Sequence, residues 1–261
     1  MNTTENTSDW SLLSWPEILE IVETGPRAVI LPVGATEQHG PHLGTGVDFI
    51  IAEKVAAEVG LRCHIPVLPA LHYGCSIAHS HRWPGTIALT PTTMIAVLMD
   101  IGEWLYNAGF RKLFIVNCHV GNFASLRCAL DMLRAKYEGF QIALFNDGNL
   151  NPELKKAFTW DADDWHANAA ETSLMLALAP EGVKKGRIAQ ADDPDRTPEL
   201  VFSYPVNATS TNGVTGKPSA GSKAEGRKLF EQVVEFICEQ VMRGLDEKAP
   251  VSNTYNSRVA R

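Results

Sequence analysis

Glu37, His39 and Asp48 fall within one Gly/Pro-rich stretch, LPVGATEQHGPHLGTGVD, residues 31–48. The apolar run before it, AVILPVG at 28–34, predicts a strand buried on both faces. In an extended segment residues two apart point the same way, so Glu37 and His39 face one side together. A carboxylate beside an imidazole at a strand end is a natural start for a transition-metal site. Asp48 joins them after GPHLGTGV, whose glycines and proline let the chain fold back tightly. Each residue also has a plainer role: Asp48 as helix N-cap, Glu37 as a solvated strand end, His39 as a loop histidine. Three of them beside one buried strand favour a shared site.

Two further segments carry candidates. His119 follows the apolar run RKLFIVN at 111–117, with only Cys118 between. Cys118 reads as a small hydrophobe rather than a ligand or nucleophile, and Asn122 as a cap for the helix that follows. In HANAAETS, His166 precedes an apolar helix and Glu171 lies in its first turn. Asn168 and Glu171 have the spacing of a capping box. On spacing alone, Glu171 is as good a cap as a ligand.

The elements that must position these residues alternate. Strands are predicted at 28–34, within 64–74, at 111–117 and at 141–147. Helices are predicted over DFIIAEKVAAEVG (ended by Gly60), 91–110 (opened by Pro91 and ended near Gly109) and 123–139. Such alternation implies a mainly parallel sheet with helices on both faces, and right-handed crossovers bring the strand C-termini to one edge. Glu37 and His119 each follow a different strand, so both reach that edge, where sites in open α/β sheets form. Beyond residue 147 the chain reads as a loop or lid holding Trp160 and Trp165, then a helix in 166–180. Irregular structure follows over 185–223, suited to contact with another subunit, and an amphipathic helix over 223–245.

Composition sets the outer bounds. The 261 residues, 45% hydrophobic and 20% charged, suit one soluble globular domain with flexible tails near 1–10 and 247–261. A net charge of −7 without a Lys/Arg run argues against nucleic-acid or anionic-membrane partners. No apolar run reaches a membrane span, and the N-terminus lacks the pattern of a signal peptide. Five cysteines with no CxxC pair suit a reduced, cytoplasmic protein. No GxGxxG or GxxxxGK[ST] follows a strand, which counts against a nucleotide-binding reading.

Taken in order, GATEQHGPHLGTGVD, WPGT (83–86), NCHVGN (117–122), HANAAETS (166–173) and NGVTGKPSAGSKAEGRKL (212–229) resemble the creatininase, or creatinine amidohydrolase, family over roughly residues 28–230. The resemblance implies a three-layer α/β/α sandwich, often hexameric, and two divalent metals per chain, zinc foremost with manganese or iron as alternatives. Glu37, His39, Asp48 and His119 match the family's metal ligands, with Asp48 bridging. Creatininase carries a further ligand glutamate two residues after the histidine matching His119. This chain has Gly121 there, and Glu171 is then implied to complete the site, which weakens creatinine as substrate. His166 matches a histidine implicated as acid/base or substrate contact.

The implied activity is amide hydrolysis of a small cyclic amide or formamide. The metals would activate water, and His166 would protonate the leaving nitrogen. Two other family chemistries remain alternatives: ring-opening of a keto-inositol by C–C cleavage, and peptide trimming. A non-catalytic metal- or ligand-binding protein on the same scaffold is disfavoured by the full ligand set. His79 and His81, just before WPGT, are both candidates for the pocket, and the spacing does not choose between them.

Overall fold

The computed structural model describes residues 8–79, 81–146 and 149–249. A capping box formed by Ser14 and Glu17 opens α1 (Trp15–Thr24). Next come β1 (Ala28–Val33), α2 (Val47–Cys63), α3 (Pro91–Asn107), β2 (Lys112–Asn117), α4 (Phe123–Lys136) and β3 (Gln141–Phe145). The chain continues through α5 (Pro152–Thr159), α6 (Ala169–Leu178), the single turn α7 (Val206–Thr209) and the long α8 (Lys223–Asp246).

The strands form a parallel sheet in the order β1-β2-β3, with Val33 in register with Asn117 and Val116 with Phe145. Alternate residues of each strand point to opposite faces. Ala28, Ile30, Phe114 and Val116 pack with Val55, Val59, Leu174 and Ile237 from α2, α6 and α8. Val29, Leu31, Leu113 and Ile115 pack with Met94, Leu98, Leu126 and Leu133 from α3 and α4, and with Val22 of α1. The result is the expected three-layer α/β/α sandwich.

Three details differ from the sequence reading. The segment within 64–74 lies along the free edge of β1 and bonds to it, through Ile30 N–H to the Pro66 carbonyl and Leu71 N–H to the Pro32 carbonyl. It forms isolated bridges at Val67 and Leu71 rather than a strand, because Pro66 and Pro69 lack the N–H groups a continuous ladder needs. Helix α2 does not stop at Gly60. It continues to Cys63, and His64 closes it with φ 55°. Gly60 serves packing instead: a Cβ there would lie 2.3 Å from Val67 Cγ2. Finally, residues 8–10 are tied to the body, Trp10 N–H bonding to the Val67 carbonyl at 3.0 Å and its ring lying 5.5 Å from that of Phe110. Residues 247–249 are described as well, the Glu247 carbonyl accepting from Lys112 Nζ at 3.4 Å; the rest of the expected tails, 1–7 and 250–261, lies outside the described residues. Among the described residues, no helix is long and apolar enough to cross a membrane.

Candidate metal centre

The C-terminal edge of the sheet carries the cluster. Beyond β1, Gly34 lets the first turn of α2 abut the strand end, since a Cβ there would lie 2.3 Å from Phe49 N. That close approach delivers Asp48. Helix α2 is capped by Gly46, and Asp48 is its second residue, so the carboxylate is free of a capping role. Asp48 Oδ1 lies 3.0 Å from His39 Nε2, and Oδ2 lies 3.1 Å from His119 Nδ1. Its two oxygens therefore face two different imidazoles.

The remaining donors sort onto those two sides. Glu37 Oε2 is 3.4 Å from His119 Nε2, and Glu171 Oε1 is 3.6 Å from His39 Nε2. Donor atoms of Glu37, Asp48 and His119 lie within 4.8 Å of one another, and so do those of His39, Asp48 and Glu171. Asp48 belongs to both groups. A further triplet joins Glu37, His39 and His166. All these residues are buried, Glu37 at 0% and Asp48 at 2% exposure.

Buried polar atoms are almost always hydrogen-bonded. Here, among the described residues, no group meets Glu37 Oε1, Glu37 Oε2 or Asp48 Oδ2 with good hydrogen-bond geometry, the His119 imidazole beside Asp48 Oδ2 included. Anionic oxygens stranded without donors are a cost unless a cation meets them. Titration behaviour agrees. Burial pushes the Glu37 carboxyl up to about 7. Burial alone would lower His119, yet Glu37 and Asp48 hold it up at about 9. His39 is likewise raised against its burial by Asp48 and Glu171. The carboxylates thus draw protons onto the two imidazoles that a cation would otherwise meet. The oxygen and nitrogen donors fit a divalent transition metal.

His166 and His79 behave differently. Burial holds His166 well below its ordinary value and His79 at about 3, so both are neutral. His166 Nε2 sits 2.9 Å from the Gln38 carbonyl oxygen. The Gln38 side-chain Nε2 lies 3.2 Å from the same nitrogen, but the carbonyl is closer and can only accept, which puts the proton on His166 Nε2 and leaves the Gln38 amide to donate to the Gly213 carbonyl at 3.1 Å. Nδ1 is then a bare lone pair, 3.4 Å from Glu37 Oε1. The backbone of His166 is clamped by two bonds to Thr215, at 3.0 and 2.8 Å, which gives the NGVTGKP segment its local role. Ala167 next turns through φ 52°, a strained conformation for a residue with a Cβ. This turn separates His166 from Asn168, whose side chain caps α6 through the amides of Ala170 and Glu171.

The capping box expected of Asn168 and Glu171 is only half formed. Glu171 Oε2 accepts the Ala167 N–H at 2.6 Å, one residue before the cap, leaving Oε1 toward His39. Asn122 stands at the N-cap position of α4 as expected, but its side chain makes no capping bond. Its Nδ2 donates to the Gly34 carbonyl and to Asn117 Oδ1, and its Oδ1 accepts the Cys75 N–H. It locks the ends of β1 and β2 to the loop that carries Ser76, whose Oγ is 3.2 Å from His119 Nε2.

His79 is the inward member of its pair, 3.3 Å from Glu37 Oε1, while His81 is exposed. Thr86 of the WPGT segment makes that possible by donating to the His79 carbonyl and accepting the Gln38 N–H. Gln38, Ser76 and Asn122 were not singled out for the site from sequence. Only the Gln38 position, between Glu37 and His39, offered a signal. Trp165 lines the cleft over the cluster, a space of about 270 Å³. Trp160 is half exposed and is absent from the lining.

Gly121 explains the departure at the position two residues after His119. A Cβ there would lie 2.4 Å from the Cys75 carbonyl oxygen and 2.5 Å from His119 Nε2. No glutamate fits in this arrangement without moving His119.

The chain is thus a parallel α/β/α sandwich whose C-terminal edge carries a buried candidate metal site. The creatininase family, described as creatinine amidohydrolase, matches residues 11–241. The chain belongs to this family of hydrolases. It is 33% identical over 245 residues to a mycofactocin precursor peptide peptidase from Mycobacterium tuberculosis, covering 87% of this chain and 89% of the relative. It is 28% identical over 246 residues to a creatinine amidohydrolase from Pseudomonas putida, covering 88% and 94%. A 3-dehydro-scyllo-inosose hydrolase from Thermotoga maritima is 26% identical over 249 residues, covering 85% and 78%. A crystal structure of creatinine amidohydrolase superposes with a TM-score of 0.79 at 28% identity, covering 93% of this chain and 99% of that one. A creatininase structure with manganese matches at 0.78 with 28% identity, covering 92% and 100%.

Proposed function

We propose that this chain is a binuclear metal-dependent amidohydrolase acting on a small cyclic amide or formamide. The observation that carries the reading is Asp48, whose two oxygens face His39 and His119 separately at 3.0 and 3.1 Å. In this reading Glu37 and His119 would hold one divalent cation, His39 and Glu171 would hold the other, and Asp48 would offer one oxygen to each side. Zinc is the first expectation, with manganese or iron as alternatives. Such a pair supplies Lewis acidity and lowers the pKa of water.

The chain's own residues do the rest. His166 Nδ1 is the free base that takes a proton from the attacking water and returns it to the leaving nitrogen. The Gln38 carbonyl fixes its tautomer, and Thr215 fixes its backbone. The half-buried Trp165 walls the cleft against bulk water. The whole chain acts as one domain within a cytoplasmic homo-oligomer, a hexamer by analogy with the family, with no nucleic-acid or membrane partner.

A peptide-trimming role is the second reading, supported by the 33% identity to the mycofactocin precursor peptide peptidase. The test is a screen of metal-stripped protein reloaded with zinc or manganese against cyclic amides, formamides, short peptides and keto-sugars. Metal-dependent cleavage of a cyclic amide or formamide is expected. Activity on peptides alone selects the second reading, and ring-opening of a keto-sugar alone rejects both.

A further inference from the structure

A second cavity, of about 70 Å³, opens off the cluster. It lies between the sheet and helices α2, α5, α6 and α8. Val55, Phe145, Phe158, Leu174, Phe230 and Val233 supply much of its wall. Among the described residues, its ionisable lining residues are Cys118, His119 and Glu171. His119, Glu171, Cys118, Val120 and Trp165 line the cleft as well. The two spaces therefore meet at the proposed metal ligands.

Protein interiors leave few voids larger than a water molecule. A chamber of about 70 Å³ exceeds the space one water needs, and its wall is mainly apolar, with Asn117, Cys118, His119 and Glu171 toward the cluster and Asn146 at the end of β3. It has the build of a small-molecule subsite, apolar walls with a few polar groups at one end. Small polar molecules would leave it empty.

We propose that this chamber is a recognition subsite for an apolar group, branched aliphatic or aromatic, carried by the substrate beside its scissile amide. The inference rests on the metal-hydrolase reading and narrows its substrate class. The amide lies at the Glu171 and His119 end, and the apolar group extends toward α8. Substrates with a phenyl or branched alkyl arm are bound better than their methyl counterparts by roughly 10- to 100-fold, the gain from burying one such group.

Two probes separate the chamber from the metal reading. Toluene binding to the protein is followed by NMR, which needs no metal. Acetohydroxamic acid and 3-phenylpropionohydroxamic acid are then titrated calorimetrically into zinc-loaded protein. Toluene is expected to bind, and the phenyl hydroxamate to bind 10- to 100-fold tighter than the methyl one. Val233→Trp, which fills the chamber, should bring the ratio of the two affinities close to one. Phe230→Ala, which widens it, provides a second reading if the tryptophan variant fails to fold, and should lower the ratio several-fold. Failure of toluene to bind overturns the chamber alone. Toluene binding with equal hydroxamate affinities overturns its role as substrate subsite. Toluene binding with neither hydroxamate bound overturns the metal reading, and this use of the chamber with it.

Discussion

Glu171→Gln separates two roles of one residue. In the fold, Glu171 Oε2 accepts the Ala167 N–H at 2.6 Å, which supports the strained turn at φ 52°. A glutamine oxygen can accept the same bond. The change replaces a charge-assisted hydrogen bond by a neutral one, a loss of about 1 kcal/mol. In the site, Glu171 Oε1 lies 3.6 Å from His39 Nε2 and closes one donor triplet. A neutral amide is a far weaker ligand for a divalent cation than a carboxylate. Losing even an outer-shell partner of a ligand costs 10–100-fold, so replacing a direct ligand should lower turnover by at least about 100-fold. Gly121 leaves no nearby glutamate to substitute, since its position has no room for a side chain. The assay is elemental analysis after reconstitution, turnover on the best substrate from the screen, and melting in chelator. One metal per chain, a collapse in rate and a chelated melting point close to wild type are expected. Two metals per chain at normal rate would refute the assignment of Glu171.

Asp48→Asn should remove bound metal from both sides and abolish activity, because Asp48 faces both imidazoles. Its helix should survive, since Gly46 is the cap, and circular dichroism with metal analysis checks both points. Gly121→Ala would set a methyl group about 2.5 Å from His119 Nε2; loss of metal on the Glu37 side is expected, and unchanged metal content would contradict the packing argument. His42 provides a pH test. Burial and the charge of neighbouring His39 push it down to about 4, so the folded protein holds it neutral while the unfolded chain protonates it near 6.5. Its contribution is fully present above about pH 6.5 and is lost as pH falls toward 4, up to about 3 kcal/mol. Denaturant melts of wild type and His42→Gln at pH 4.5 and 7 should show a smaller pH slope in the variant, and equal slopes would reject the assignment.

Much of this site was legible because its residues break a hydrophobic pattern. Glu37, His119 and Glu171 stand where a buried strand or helix turns polar, and parallel topology brings such points to one edge. The remainder depends on backbone contacts that carry no sequence signature. Asn122 looked like a helix cap but bonds to Gly34, Asn117 and Cys75. His79 and His81 are two residues apart, and bonds of the His79 backbone to Thr86 and to the Ser76 carbonyl hold His79 inward. The prolines at 66 and 69 fit an edge strand by hydropathy and prevent one by chemistry. The chamber beside α8 was hidden for a related reason: Leu174, Val233 and Phe230 read as ordinary helix-core positions, and nothing in their spacing distinguishes a filled core from an open one.

The central claim is that Asp48 lies between two cations. An anomalous-difference map from crystals grown with zinc or manganese tests it most directly. The account predicts two peaks per chain, one on the Glu37–His119 side and one on the His39–Glu171 side, about 3.5–4 Å apart as in two-metal hydrolases. A single peak, or none touching Asp48, would contradict it.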